Sequence, residues 1–332
     1  MSSDIFLFFE VMVFNTIELI LLVLQFVVIY HTFFILKYWD FNKTSDYQYT
    51  LEKKSYLISL IIYFSIIVKI IIYPYFIFTL DTLSTIIPGA MCAAGVISAN
   101  EYGEILFVLK SSIVLFGFIW LAINKLDIRS KRFLYIKKRL YFYIVIFLLF
   151  IIEFFLDISF FLNLTTRDLV SCCSVIFSQD SGTLPFGIST TVLLSLFYIS
   201  FTILFISNIK KYKYLSFIFS FIFLYLSYYS VIYFFAPYIY QLPTHHCPFC
   251  MMQSDYYFIG YFIFFSLFLG IFFSVVNGAM KLLKIDRYFN NSNLYSNIFL
   301  SIFTFICTSY VVVYFIKNGV FYQSNPVLSF SQ

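Results

Sequence analysis

One stretch of eight residues, 243–250, concentrates side chains capable of redox or metal chemistry. It reads Pro-Thr-His-His-Cys-Pro-Phe-Cys and contains two of the chain's three histidines, His245 and His246. It also contains two of the six cysteines, Cys247 and Cys250, in a C-x-x-C spacing. Thiolates attack disulfides, and thiolates and imidazoles both bind soft metal ions. The stretch is therefore the first place to look for a function.

The position of this stretch in the chain favours reactive thiols. A membrane helix is predicted over 255–280, so Cys247 and Cys250 should lie at or just before its N-terminus. The partial positive charge at a helix N-terminus lowers the pKa of a nearby thiol. His245 and His246, when protonated, would act in the same direction.

Composition predicts that lipid surrounds most of the chain. Hydrophobic residues make up 62% of the 332 positions and charged residues 11%, with a mean hydropathy of +0.92. The net charge of +5 is spread over short loops and does not indicate nucleic-acid binding. Windows of about twenty apolar residues predict an all-α, polytopic integral membrane bundle forming a single domain over 1–332. The eight predicted spans are 11–36, 55–80, 105–124, 141–163, 187–209, 215–236, 255–280 and 297–316.

The distribution of basic residues predicts the orientation in the membrane. Of the 21 Lys and Arg residues, 17 fall in the alternate segments 37–54, 125–139, 210–213 and 281–287. Such segments face the cytoplasm, so we expect a multi-pass protein of the cytoplasmic (inner) membrane. Both termini are then outside, together with the loops 81–104, 164–186 and 237–254.

Five cysteines fall in those three predicted outer loops: Cys92, Cys172, Cys173, Cys247 and Cys250. The exterior is the compartment in which disulfides persist. Because five thiols cannot all pair internally, at least one is expected to be free, liganded or bonded to another molecule. We expect the three turns to bring their sulfur atoms together at one rim of the bundle.

A local motif resembles a known family. Cys247-Pro-Phe-Cys250, followed by Gln253 at the outer start of a membrane helix, resembles the quinone-coupled disulfide-forming membrane oxidoreductases. These are the enzymes of the bacterial disulfide-bond-oxidase and vitamin K epoxide reductase type. The resemblance implies that Cys247 and Cys250 are a quinone-proximal pair, and that one of the other outer cysteines exchanges with an extracytoplasmic thiol protein. The family's arginine after this glutamine is Ser254 here.

Our main hypothesis is thiol–disulfide redox chemistry. Two other functions are compatible with the same sequence. His245, His246, Cys247 and Cys250 could bind copper or zinc, and the histidines could ligate a haem iron. The chain could instead be a transporter or scaffold held by structural disulfides. It has no glycine-rich loop of the kind that binds phosphates, which argues against nucleotide chemistry.

Five ionisable side chains lie within the predicted spans: Glu18, Lys69, Lys110, Glu153 and Asp157. A charge at mid-bilayer costs about 3 kcal/mol or more unless it is paired or hydrated. Glu153 and Asp157 are four residues apart and share a helix face. We expect the five to pair around a polar cavity. They would serve as structural ion pairs, or as a site that handles protons or binds a substrate.

Overall fold

The structure is a computed structural model that describes residues 3–40, 45–128, 133–165, 170, 188–242, 245–285 and 291–321. Every regular element in these residues is helical, and eight helices are long and apolar enough to cross a membrane. The prediction of an all-α, polytopic membrane protein is therefore confirmed. The chain forms two compact units, Met1–Val170 and Ser171–Gln332.

The first unit contains four of the eight long helices. Its described helices are α1 (Ser3–Phe6), α2 (Phe9–Tyr38), α3 (Asp46–Ser84), α4 (Ala93–Ile97), α5 (Glu101–Ile128) and α6 (Ile136–Leu162). Helix α3 starts nine residues before the predicted span of 55–80. The Ser45 side chain accepts a hydrogen bond from the Gln48 backbone N–H at 3.4 Å, which caps the helix beyond its apolar stretch.

Helix α6 shows how the sequence selects the inner face of this unit. Phe150, Glu153 and Asp157 recur at helical spacing and are buried, whereas Ile152 and Phe155 are exposed. In water this pattern would be inverted, with the carboxylates outside. In a bilayer the exposed apolar side chains face lipid, and the charged side chains face other helices. Burial of the carboxylates thus follows from the membrane environment.

The segment between α3 and α5 folds against the first unit. All five residues of α4 are buried, and Cys92, which precedes them, is 2% exposed. The Val170 N–H donates to the Pro88 carbonyl at 2.9 Å. Gly89 has a φ of 87°, and a Cβ there would lie 2.3 Å from the Val170 carbonyl oxygen. Only glycine fits this backbone conformation and this close approach.

The second unit contains the other four long helices. Its described elements are α7 (Thr190–Ile209), α8 (Lys213–Ser230), a π-helical segment (Val231–Phe235), α9 (Ala236–Tyr240), two 3₁₀ turns (Cys250–Met252 and Ser254–Tyr256), α10 (Ile259–Leu282) and α11 (Ser292–Asn318). The run from Lys213 to Tyr240 is one candidate membrane span. Its π-helical segment is of interest because such segments often occur at functional sites.

Neutral polar side chains connect the helices of the second unit. The Asn208 side-chain amide donates to Ser296 Oγ at 3.1 Å and to Asn297 Oδ1 at 2.9 Å. Its own Oδ1 accepts from Ser274 Oγ at 3.2 Å. All four residues are buried. Interhelical hydrogen bonds of this kind are typical of membrane bundles, where lipid offers polar groups no alternative partner.

Candidate functional site

Five buried side chains of the first unit form one continuous set of ion pairs, which we call the charge network. Its members are Glu18 on α2, Lys69 on α3, Lys110 on α5, and Glu153 and Asp157 on α6. The Lys69 ammonium donates to Glu18 Oε2, and to Glu153 Oε2 at 2.6 Å. The Lys110 ammonium donates to Glu153 Oε1 and to Asp157 Oδ2, both at 2.8 Å. The network therefore links all four long helices of the unit.

Aromatic rings complete the surroundings of the two ammonium groups. The Lys110 Nζ lies 4.8 Å from the ring centroids of both Phe14 and Phe76. The Lys69 Nζ lies 4.9 Å from the centroid of Phe150. No member of the network is more than 5% exposed. Carboxylates and ring faces thus replace water around both cations.

A small cavity adjoins the network beside Lys69, Lys110 and Glu153. Its volume is about 10 Å³, which is room for about one water molecule. The hydroxyl groups of Tyr73, which lines it, and Ser111 are hydrogen-bonded at 2.7 Å. The space is too small for an organic substrate, so it favours a role in holding water or protons over substrate binding.

A second buried cation, Arg139, was not singled out from the sequence. Its Nη1 donates to Asn124 Oδ1 at 2.6 Å and pairs with Asp127 Oδ2 at 3.2 Å. Its Nη2 donates to Ser59 Oγ at 2.8 Å. We interpreted the segment 125–139 only as a basic loop that sets topology. The missed signal is an acid, Asp127, and a base, Arg139, just beyond the facing ends of two consecutive predicted spans, where helix ends can meet.

The C-x-x-C cysteines lie close together in the second unit. Their Sγ atoms are within 4.8 Å of each other. Cys247 is 1% exposed, whereas Cys250 is partly exposed. No disulfide joins any two of the cysteines in the described part of the chain. The pair therefore has one shielded and one accessible sulfur.

The prediction that these cysteines lie at the start of a membrane helix is wrong. Helix α10 begins at Ile259, and Cys250 only begins a 3₁₀ turn of three residues. Tyr257 and Phe258 have φ angles of 54° and 56°, in the left-handed region, which interrupts the helix before it reaches the cysteines. The cysteines therefore precede α10 by nine or more residues along the chain and do not form its first turn.

The histidines and Tyr240 hold the chain around the cysteines. The buried His246 ring donates from Nδ1 to the Ile232 carbonyl at 3.0 Å. Burial lowers the pKa of His246 below its usual value, so this imidazole is neutral at pH 7 and does not supply the predicted positive charge. The Tyr240 hydroxyl donates to the Cys247 carbonyl, and its ring centroid lies 4.5 Å from that of His245.

The predicted four-residue metal set is only partly assembled. Within the described residues, no histidine nitrogen joins Cys247 and Cys250 in a group of ligand atoms within 4.8 Å of one another. The Nδ1 atom of His246 is also occupied by its carbonyl partner.

Cys172 and Cys173 lie outside the described residues, and Cys92 lies in the first unit. Convergence of the three turns stays a prediction. Comparison with known proteins adds no assignment: no family model matches this chain, and no similar curated protein or solved structure was found.

Proposed function

We propose that this protein is an integral membrane thiol–disulfide oxidoreductase that exchanges electrons with an extracytoplasmic protein through Cys247 and Cys250. One observation carries the proposal: the two sulfurs lie within 4.8 Å, and only one of them is accessible. A two-step exchange needs this asymmetry, because the first thiol must reach a partner and the second must reach the first.

The exchange begins at Cys250, the more exposed sulfur. Its thiolate attacks a disulfide of the partner protein, which breaks the partner's S–S bond and forms a mixed disulfide. The Cys247 thiolate then attacks the Cys250 sulfur and expels the partner's remaining thiolate. The chain gives up two electrons and two protons, and the partner's disulfide becomes two thiols. In the reverse direction a partner dithiol is oxidised.

The scaffold around the pair supports this role. The hydrogen bonds from Tyr240 to the Cys247 carbonyl and from His246 to the Ile232 carbonyl anchor two consecutive residues, His246 and Cys247. Ile232 belongs to the π-helical segment Val231–Phe235. These contacts keep Cys247 buried within reach of Cys250, so the second step needs little chain movement.

The chain's residues do not fit the quinone that the motif resemblance implies. The family's arginine is replaced by Ser254, and the sequence contains no Lys or Arg between Lys213 and Lys281. No cation of this region can therefore contact a quinone oxygen. The electron partner in our proposal is accordingly a disulfide-bearing protein, and no step is assigned to a quinone.

Trapping of the mixed disulfide tests the proposal. The full-length protein in lipid nanodiscs is reduced and mixed with a small disulfide-bonded protein. In Cys247→Ser, the mixed disulfide at Cys250 should accumulate, because the second thiolate is missing. In Cys250→Ser, the exchange rate should fall about 100-fold or more, because the accessible thiolate is lost.

Cys307→Ser is the matched control. Cys307 is buried in the middle of α11, so its replacement should leave the exchange rate within about twofold of the starting protein. Absence of exchange in the unmodified protein would refute the proposal. Stoichiometric copper, zinc or haem that is lost in Cys247→Ser would instead assign the pair to metal or haem binding.

A further inference from the structure

The charge network has an order that the proposed function does not use. It runs Glu18, Lys69, Glu153, Lys110, Asp157, with each ammonium between two carboxyl groups. Glu153, in the centre, accepts from one ammonium at each of its oxygens. Within the part of the chain that the structure describes, Glu18 and Asp157, at the ends, each bind a single ammonium.

The network has one more acid than it has bases. With all groups ionised, three carboxylates and two ammoniums leave one uncompensated negative charge, buried among helices of a membrane protein. A buried charge without a partner is strongly destabilising, as it is when one member of a buried ion pair is removed. One additional positive charge would remove this penalty.

The end carboxyl groups are where that charge can bind. Glu18 Oε1 and Asp157 Oδ1 are buried and have no hydrogen-bond partner among the described residues. One oxygen from each of the two end groups and from Glu153 lies within 4.8 Å of the other two. Two like charges this close favour sharing one proton, as paired carboxyl groups do in other proteins.

We propose that the charge network binds one exchangeable proton, shared between Glu18 and Asp157. A metal cation is a poorer fit, because both ammoniums already lie among the same carboxylates and would repel it. The cavity beside Lys69, Lys110 and Glu153 has room for about one water molecule, which would be a proton acceptor next to the network.

Ionisable groups from the neighbouring long helices face the carboxyl groups of Glu18 and Asp157. Within the described side chains, the ionisable groups are Lys69 and Tyr73 on α3, Lys110 on α5, and Glu153 between the two end groups. Both ammoniums stay bound to carboxylates in either state. The proton is therefore gained and lost at the end groups, and the network changes between neutral and singly negative.

Infrared spectroscopy of the full-length protein in lipid tests the proposal. At neutral pH, the unmodified protein should have a carboxylic-acid carbonyl band that shifts in heavy water. An amide is a neutral substitute for a protonated carboxyl group, so Asp157→Asn and Glu18→Gln should each fold normally and each lose the band. The control Glu104→Gln, at an exposed position in the first turn of α5, should retain it.

Stability provides the second readout. Each single amide variant should keep the unfolding temperature of the unmodified protein. The double variant should unfold at a lower temperature, because it leaves two ammoniums with only one carboxylate. Absence of the band in the unmodified protein would overturn the proposal. So would a band that survives both substitutions, or a failure of either single variant to fold.

Discussion

Replacing Lys110 with methionine is expected to lower the free energy of unfolding by about 3–5 kcal/mol. The substitution removes the ammonium that pairs with Asp157 and also with Glu153, which keeps its pair with Lys69. Methionine keeps an unbranched side chain beside the rings of Phe14 and Phe76, so packing is largely preserved. The decrease in the free energy of unfolding then measures the cost of burying carboxylates that have lost their ammonium partner.

The double variant Lys110→Met with Asp157→Leu separates charge from packing. Removing both members of a buried ion pair is often neutral or even stabilising, so most of the loss should be recovered. Denaturant unfolding in detergent micelles measures the free energy of unfolding of the unmodified protein, the single variant and the double variant. An unchanged stability of Lys110→Met, or a double variant less stable than the single one, would contradict this account of the network.

Replacing Arg139 with methionine is expected to lower the free energy of unfolding by about 3–5 kcal/mol as well. The guanidinium, 1% exposed, holds Ser59 of α3 and both Asn124 and Asp127 of α5 against α6. Removing it leaves Asp127 buried without its arginine and breaks two hydrogen bonds between helices.

Arg139→Lys tests whether the shape of the guanidinium matters in addition to its charge. An ammonium keeps the ion pair but does not reproduce the planar fork that contacts Ser59 and Asn124 together. We expect a loss of about 1–3 kcal/mol, between the original protein and Arg139→Met. Equal losses in both variants would mean that a positive charge without the guanidinium shape contributes nothing, and no loss in either would refute a stabilising role for Arg139.

The eight spans were predictable because lipid imposes a minimum apolar length on a helix. Their ends were less predictable, since those depend on local backbone contacts. Ser45 extends α3 through a side-chain cap, and Tyr257 with Phe258 delays α10 through left-handed backbone angles. Hydropathy records neither effect. The error at α10 concerns where the helix begins and leaves the proximity of Cys247 and Cys250 unchanged.

The membership of the charge network was evident in the sequence, because charges are rare in membrane spans. The pairing was not, because it depends on which helices are neighbours. Spacing placed Glu153 and Asp157 on one face of α6, but only the fold makes Lys110 bridge them. Arg139 was missed because its segment was read as a basic loop, and its pairing with Asp127 depends on how the ends of α5 and α6 meet.

A redox titration of the cysteine pair in native membranes tests the central claim most directly. Membranes are equilibrated at defined ratios of reduced to oxidised glutathione, alkylated, and analysed by mass spectrometry of the peptide containing Cys247 and Cys250. The account predicts that both thiols disappear together in one two-electron transition, in which a tenfold change in the equilibrium corresponds to about 30 mV. Thiols that remain reduced at every ratio would contradict it.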